Sequence, residues 1–89
     1  MIKHYNIRIL GQVQGVGFRY YGQAEAERLG LAGWIANQPD SSVYIEAEGT
    51  ETALKEFLNW CQKGPRWAQV AKVEVSEGES IGYNGFTVE

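Results

Sequence analysis

One cysteine and one histidine in 89 residues leave little from which to build a metal centre. Zinc and iron–sulfur sites need clustered Cys and His ligands, so neither is expected here. The lone Cys61 cannot close a disulfide within the chain, which suits a reducing compartment, and a cytoplasmic location is expected. No apolar run is long enough to span a bilayer, and the N-terminus lacks the charged, apolar and cleavage regions of a secretory leader. Positive charge is not in excess. The formal net charge of −3 argues against a nucleic-acid binder that gains affinity by counterion release. The length fits one domain, residues 1–89, with a modest core and little room for a second site.

Glycine, by contrast, is concentrated. Three glycines fall within seven residues of Gly11-Gln12-Val13-Gln14-Gly15-Val16-Gly17-Phe18-Arg19. A β-like run, Lys3 to Leu10, precedes this stretch, and a helix-like run, Arg19 to Leu29, follows it. Glycine lets the backbone take positive φ and approach a ligand closely. Successive N–H groups in a concave turn, joined to the positive end of a helix, form an anion site. Arg19 stands where its guanidinium can hold two phosphate oxygens at once. On the loop alone two readings stand: a small oxyanion such as phosphate clamped by Arg19, or a strand-to-helix turn that binds nothing. The order G-x-x-x-G-x-G followed by Phe-Arg is neither a Walker A loop nor a dinucleotide fingerprint. Charge is also uneven, with Lys3, Arg8, Arg19 and Arg28 against Glu25 and Glu27 in the first 28 residues.

Tyr5, Ile7 and Ile9 alternate with Asn6 and Arg8, the pattern of a strand with one buried face. Phe18, Gly22, Ala26 and Leu29 recur at helical spacing, and Gly30 suits the residue after the helix. Gly22 costs a helix ~1 kcal/mol relative to Ala, so close packing on a sheet is the expected reason for it. Ala32 to Asn37 is a short strand, Gln38-Pro39-Asp40-Ser41 a turn, and Ser42 to Glu48 an alternating strand that pairs with it as a hairpin. In that strand Tyr44, Glu46 and Glu48 are expected to face outward. Thr50 is a candidate N-cap for a second helix, whose stripe is Leu54, Phe57, Leu58 and Cys61. Cys61 therefore reads as a core thiol, and Lys63, Gly64 and Pro65 stop the helix. Val70 is out of phase with Ala71, Val73 and Val75, which predicts a bend or bulge as the fourth strand begins. Glu77 to Asn84 reads as a polar loop, and Phe86 with Val88 as a short closing strand. Trp34, Trp60 and Trp67 are expected to be packing residues and His4 a surface or edge histidine. Tyr20 and Tyr21 either shape the rim of the loop or only pack on the helix.

The order β-α-β-β-α-β is the ferredoxin-like arrangement, α+β, an antiparallel sheet with two helices on one face and a possible fifth strand. In it the first two strands run the same way with the third between them. The ends of those two strands then lie on one edge, two strand spacings or ~10 Å apart. The glycine loop follows one and Asn37 ends the other, so Asn37 becomes a candidate site residue.

With Arg19 and Asn37 on one edge, the chain resembles the acylphosphatase family. It carries that family's G-x-V-Q-G-V-x-F-R loop at Gly11–Arg19 and its G-x-V-x-N segment at Gly33–Asn37, with Ile35 for Val. Ala47-Glu48-Gly49 and Gly64-Pro65 extend the likeness over nearly the whole chain, with the C-terminal segment least similar. Ser41 departs from the glycine that many relatives have in the hairpin turn, which bears on the turn rather than the chemistry. The resemblance implies a hydrolase that splits the carboxyl–phosphate bond of acyl phosphates with no metal and no cofactor. It implies that Arg19 binds the phosphate with the loop amides of Gln14, Gly15, Val16, Gly17 and Phe18, and that Asn37 orients the attacking water. An acyl phosphate already has a good leaving group, so positioning and electrostatic stabilisation are most of what it needs.

The partner expected is a small acyl phosphate, with no nucleic acid and no membrane, and the chain is expected to be a monomer. Two other functions compete. A non-catalytic module could hold an acyl or carbamoyl phosphate for a larger machine, although a chain running from Met1 to Glu89 is expected to be a free-standing enzyme. An RNA-binding sheet domain shares the topology, but it needs exposed aromatics on its central strands and a basic face. Tyr44 is the only such aromatic on the third strand.

Overall fold

A computed structural model describes all 89 residues, Met1 to Glu89. Five strands and two helices follow in the order β1 (Lys3–Gln12), α1 (Phe18–Arg28), β2 (Ala32–Asn37), β3 (Val43–Gly49), α2 (Glu51–Lys63), β4 (Gln69–Gly78) and β5 (Phe86–Val88). They form one sheet in the order β4-β1-β3-β2-β5. The expected α+β architecture is present, with β1 and β2 flanking β3. The sheet is mixed rather than purely antiparallel, because β5 pairs parallel with β2 (Gly33 opposite Phe86, Ile35 opposite Val88).

The alternation read in β1 and β3 puts Tyr5, Ile7, Ile9, Val43, Ile45 and Ala47 into the core with Phe18 and Ala26 of α1 and Leu54, Phe57 and Cys61 of α2. Thr50 caps α2 by accepting the Ala53 N–H at 3.2 Å. α1 ends with Leu31 N–H on Ala26 O and Gly30 N–H on Glu27 O, the paired bonds of a Schellman stop. Gly22 is there for space: a Cβ on it would stand 2.7 Å from Cδ1 of Ile35 on β2. Cys61 is fully buried, and burial pushes its thiol far up, so it is an inert core residue. The expected irregularity in β4 is a bulge. Leu10 faces Lys72 and Gly11 faces Val70, which leaves Ala71 without a partner.

The C-terminal connection holds the surprise. β4 and β5 are opposite edges, so residues 79–85 must cross ~19 Å of sheet, four strand spacings. Seven residues reach at most ~25 Å, enough to cross and still curl at Gly82 (φ 90°) and Gly85 (φ 80°). It passes over Glu48. That residue points away from the helices as expected, yet it is only 4% exposed. Its carboxylate accepts the N–H groups of Ile81, Gly82 (2.9 Å) and Tyr83 (3.2 Å), and pairs with His4 Nδ1 at 2.7 Å. His4 is therefore buried, 3% exposed, not a surface residue. Its Nε2 faces Asn6 Oδ1 at 2.9 Å and Glu46 Oε1 at 3.2 Å. Both ring nitrogens thus meet oxygen acceptors, which favours the imidazolium. Sequence periodicity placed Glu48 on the right face but could not show that a later loop covers that face.

These contacts set a pH dependence. Burial alone would push the Glu48 pKa up, but the three amides and His4 outweigh it and bring it from 4.5 down to about 2. For His4, burial pulls down, while bonds to Glu48 and Asn6 and the charges of Glu46 and Glu48 raise it above 6.5. The Glu48 contribution is present above pH 4.5 and lost as pH falls towards 2, ~3 kcal/mol by linkage. The His4 contribution is full below pH 6.5 and lost as pH rises through its raised value. We predict a thermal-midpoint maximum between pH 4.5 and 6.5, with His4→Gln flattening the alkaline limb. Calorimetric scans across pH 3–9 check both.

Candidate active site

The loop between β1 and α1 is pinned at both ends by apolar anchors. Val13 and Phe18 are each 1% exposed; between them Gly15 and Gly17 are exposed, while Val16 packs partly against the core. Gly15 (φ 75°) and Gly17 (φ 81°) are both left-handed, with Val16 between them. Backbone of this kind can turn N–H groups toward a concavity. Gly17 is also the N-cap of α1, and it offers no side chain to the helix. The first helical bond runs from Tyr21 N–H to Gly17 O, 3.0 Å. No acidic residue lies in that first turn either. The positive end of α1 is thus left uncapped by the protein, as an anion site requires.

Gly15, Gly17, Phe18, Arg19 and Asn37 line a single recess of about 310 Å³, together with Val88. The juxtaposition expected from topology is therefore met: the start of α1 and the end of β2 face a common hollow. Gln14 and Val16 do not line it. Val16 borders the next hollow along the surface, and the Gln14 side chain is turned to the β2–β3 hairpin.

Two sets of contacts fix the candidate side chains. Arg19 Nη1 donates to the main-chain oxygen of Glu89 at 3.0 Å, just past β5. β5 is itself held, because Glu89 N–H bonds Ile35 O at 2.8 Å and Gln23 Nε2 of α1 bonds Phe86 O at 3.0 Å. On the other side, Asn37 sits in the ladder opposite Val43. Its carboxamide makes no hydrogen bond to the protein, so its acceptor oxygen and NH₂ donors remain available in the recess. The residue after it is tethered to the loop. Gln14 Nε2 donates to both Gln38 O and Ser42 O, each at 2.8 Å. Sequence reasoning assigned Gln14 only a main-chain role. A glutamine side chain in a loop carries no signal of its own partner, so this bracket was not legible.

The hairpin turn resolves the Ser41 departure. Ser41 takes φ 77°, the left-handed conformation glycine would adopt freely, at a cost of ~1–2 kcal/mol for a residue with Cβ. The turn offsets this with Asp40, whose carboxylate accepts the Ser42 N–H at 3.0 Å and the Ser42 hydroxyl at 2.6 Å, and pairs with Arg8. Those Ser42 bonds, reinforced by the Arg8 guanidinium, hold the Asp40 carboxyl far below its usual range. Arg8 also pairs with Glu74 at 3.4 Å, so the main cation of the open sheet face is neutralised.

Residues 5–88 match the family model for acylphosphatase. The chain is 48% identical over 87 residues to the acylphosphatase of Thermotoga maritima, covering 98% of this chain and 97% of that one. The crystal structure of acylphosphatase from Bacillus subtilis superposes with a TM-score of 0.95 at 41% identity, over 100% and 99% of the two chains. T. kodakarensis HypF superposes with a TM-score of 0.85 at 30% identity, over 98% of this chain but 12% of that one.

The bracket predicts a graded defect. Gln14→Ala removes two hydrogen bonds and frees the loop from the hairpin, which is expected to cost ~1–2 kcal/mol in urea unfolding. Turnover of an acyl phosphate is expected to fall even at temperatures where the variant is fully folded. Unchanged stability and unchanged turnover would show that the bracket holds nothing.

Proposed function

This chain belongs to the acylphosphatase family, and from that premise we propose how it hydrolyses the carboxyl–phosphate bond of acyl phosphates. The phosphoryl group lies in the recess, held by the main-chain amides of Gly15, Gly17 and Phe18 and by the Arg19 guanidinium. The carboxamide of Asn37 accepts a hydrogen bond from a water and gives one to a phosphate oxygen. The water oxygen attacks phosphorus as the bond from phosphorus to the acyl oxygen breaks, and the electron pair leaves with the carboxylate. The water proton passes to a non-bridging oxygen of the transferred phosphate, so no protein base is required. Arg19 and the amides stabilise the charge spread over the equatorial oxygens.

The observation that carries this reading is the shared recess: Arg19 and Asn37, 18 positions apart, line one hollow with two left-handed glycines and an uncapped helix start. Its donors are N–H groups, which suit an anion, so we propose that turnover needs neither metal nor cofactor. We also read residues 1–89 as one domain acting as a cytoplasmic monomer, without nucleic-acid or membrane partners. A single buried cluster drawn from both helices and all the strands but β4 supports the one-domain reading. No helix is long and apolar enough to cross a membrane. The likeness to a short part of HypF keeps a second reading, a module that binds an acyl or carbamoyl phosphate without turning it over.

Benzoyl phosphate separates the two. Hydrolysis by the purified chain is expected to proceed unchanged in EDTA; binding without turnover would favour the module, and strict metal dependence would contradict the mechanism. Arg19→Gln is expected to lower kcat/KM by at least ~10³-fold and to abolish inhibition by inorganic phosphate, with the fold intact. Asn37→Ala is expected to lose turnover while phosphate still inhibits. Parallel loss of both would make Asn37 a phosphate ligand instead.

A further inference from the structure

A second hollow, of about 380 Å³, lies on the other side of the glycine loop, lined by Val16, Tyr21, Trp60, Pro65, Arg66 and Trp67. The reaction as derived uses none of these side chains. Trp67 was expected to pack, yet it is 72% exposed, and Tyr21 is 52% exposed. Neither is loose on the surface. The Arg66 guanidinium carbon lies 5.2 Å from the Trp67 ring centroid, a cation on the indole face. Tyr21 lies against the loop itself: a Cβ on Gly17 would stand 3.2 Å from its Cδ2 and Cε2.

The two hollows are neighbours. Val16, in the second, is flanked in the chain by Gly15 and Gly17, in the first. Tyr20 lines the first and meets Tyr21 of the second edge-on, with centroids 5.1 Å apart. An aromatic ridge therefore joins them across the loop. Chemistry gives this layout a direction. Phosphoryl transfer places the attacking and leaving oxygens roughly in line through phosphorus. Asn37 lines the first hollow and not the second, so a water held by Asn37 sends the leaving carboxylate away from β2. The side left for the acyl group is that of the tyrosine pair.

We infer that the second hollow is the acyl-group subsite, taking an aromatic acyl group against Tyr21 and Trp67. The inference rests on the hydrolase reading for its orientation. Benzoyl carries a ring that these aromatics can stack on and acetyl does not, so discrimination is by ring rather than by phosphate. Apolar and stacking contacts made equally before and during bond breaking change KM and leave kcat alone.

The test compares benzoyl phosphate with acetyl phosphate in the wild type, Trp67→Ala and Trp67→Phe. Trp67→Ala is expected to raise KM for benzoyl phosphate about fivefold with kcat unchanged, to leave both constants for acetyl phosphate unmoved, and to be largely rescued by phenylalanine. Equal changes for the two substrates, or none, would overturn the subsite. Calorimetric binding of benzoylphosphonate and acetylphosphonate, which carry a P–C bond in place of P–O, gives a readout that needs no turnover. The wild type is expected to prefer the benzoyl compound and Trp67→Ala to lose that preference. If neither acyl phosphate is hydrolysed but this preference is seen and is lost in Trp67→Ala, the hydrolase reading fails and the subsite stands. If turnover is normal and the preference is absent or survives Trp67→Ala, the subsite fails and the hydrolase reading stands.

Discussion

Two hydrogen bonds from one carboxamide hold the molecule's chemistry together. Gln14 reaches out of the glycine loop to the carbonyls of Gln38 and Ser42, either side of the hairpin turn. The loop is held from below by Val13, Val16 and Phe18 on the core, and Gln14 adds a sideways tie to the hairpin. Asn37 stands immediately before one of the carbonyls that Gln14 grips. The placement of the loop relative to Asn37 is therefore set by this carboxamide together with the packing of Val13 and Phe18. Preorganised donors act on a transition state only if they need not move when charge develops.

A second, longer route reaches the same recess from the far side of the sheet. The crossing from β4 to β5 is anchored midway on Glu48, a buried carboxylate that three backbone amides and His4 surround. A charge so buried is costly unless its lone pairs are filled, and here they are. Past that anchor the chain joins β2 as a parallel edge strand and presents the Glu89 oxygen to Arg19. Arg19 and Asn37 are thus each tied to β2, one through β5 and one by covalent sequence. The Arg19 guanidinium and the Asn37 carboxamide share a common reference frame.

What the sequence made legible follows from the range of the interactions. Helix stripes, the Thr50 cap, the Gly30 stop and the inward face of β1 and β3 are local patterns, and each is found where the spacing puts it. Even the β4 bulge was readable, because the mismatch between Val70 and Ala71 lies in adjacent letters. The pairing of Arg19 with Asn37 followed from topology, since a split β-α-β unit leaves two parallel strand ends on one edge. Three of the features that were missed depend on a partner distant in sequence. His4 is buried by a segment 77 residues away, Gln14 finds carbonyls across the hairpin, and β5 runs parallel because its connection crosses the whole sheet. Trp67 was read as a packing residue on composition, but it lies outside both helix and strand, where no periodicity marks a buried face.

The central claim is that the loop amides, Arg19 and Asn37 face one anion. Titration of ¹⁵N-labelled protein with inorganic phosphate, followed by heteronuclear NMR, tests it most directly. The account predicts that the backbone amides of Gly15 to Phe18, the Arg19 Nε–H and the Asn37 side-chain NH₂ shift together along one binding curve with a single dissociation constant. Loop amides that shift while Asn37 or Arg19 stays still, or that follow a different curve, would contradict it.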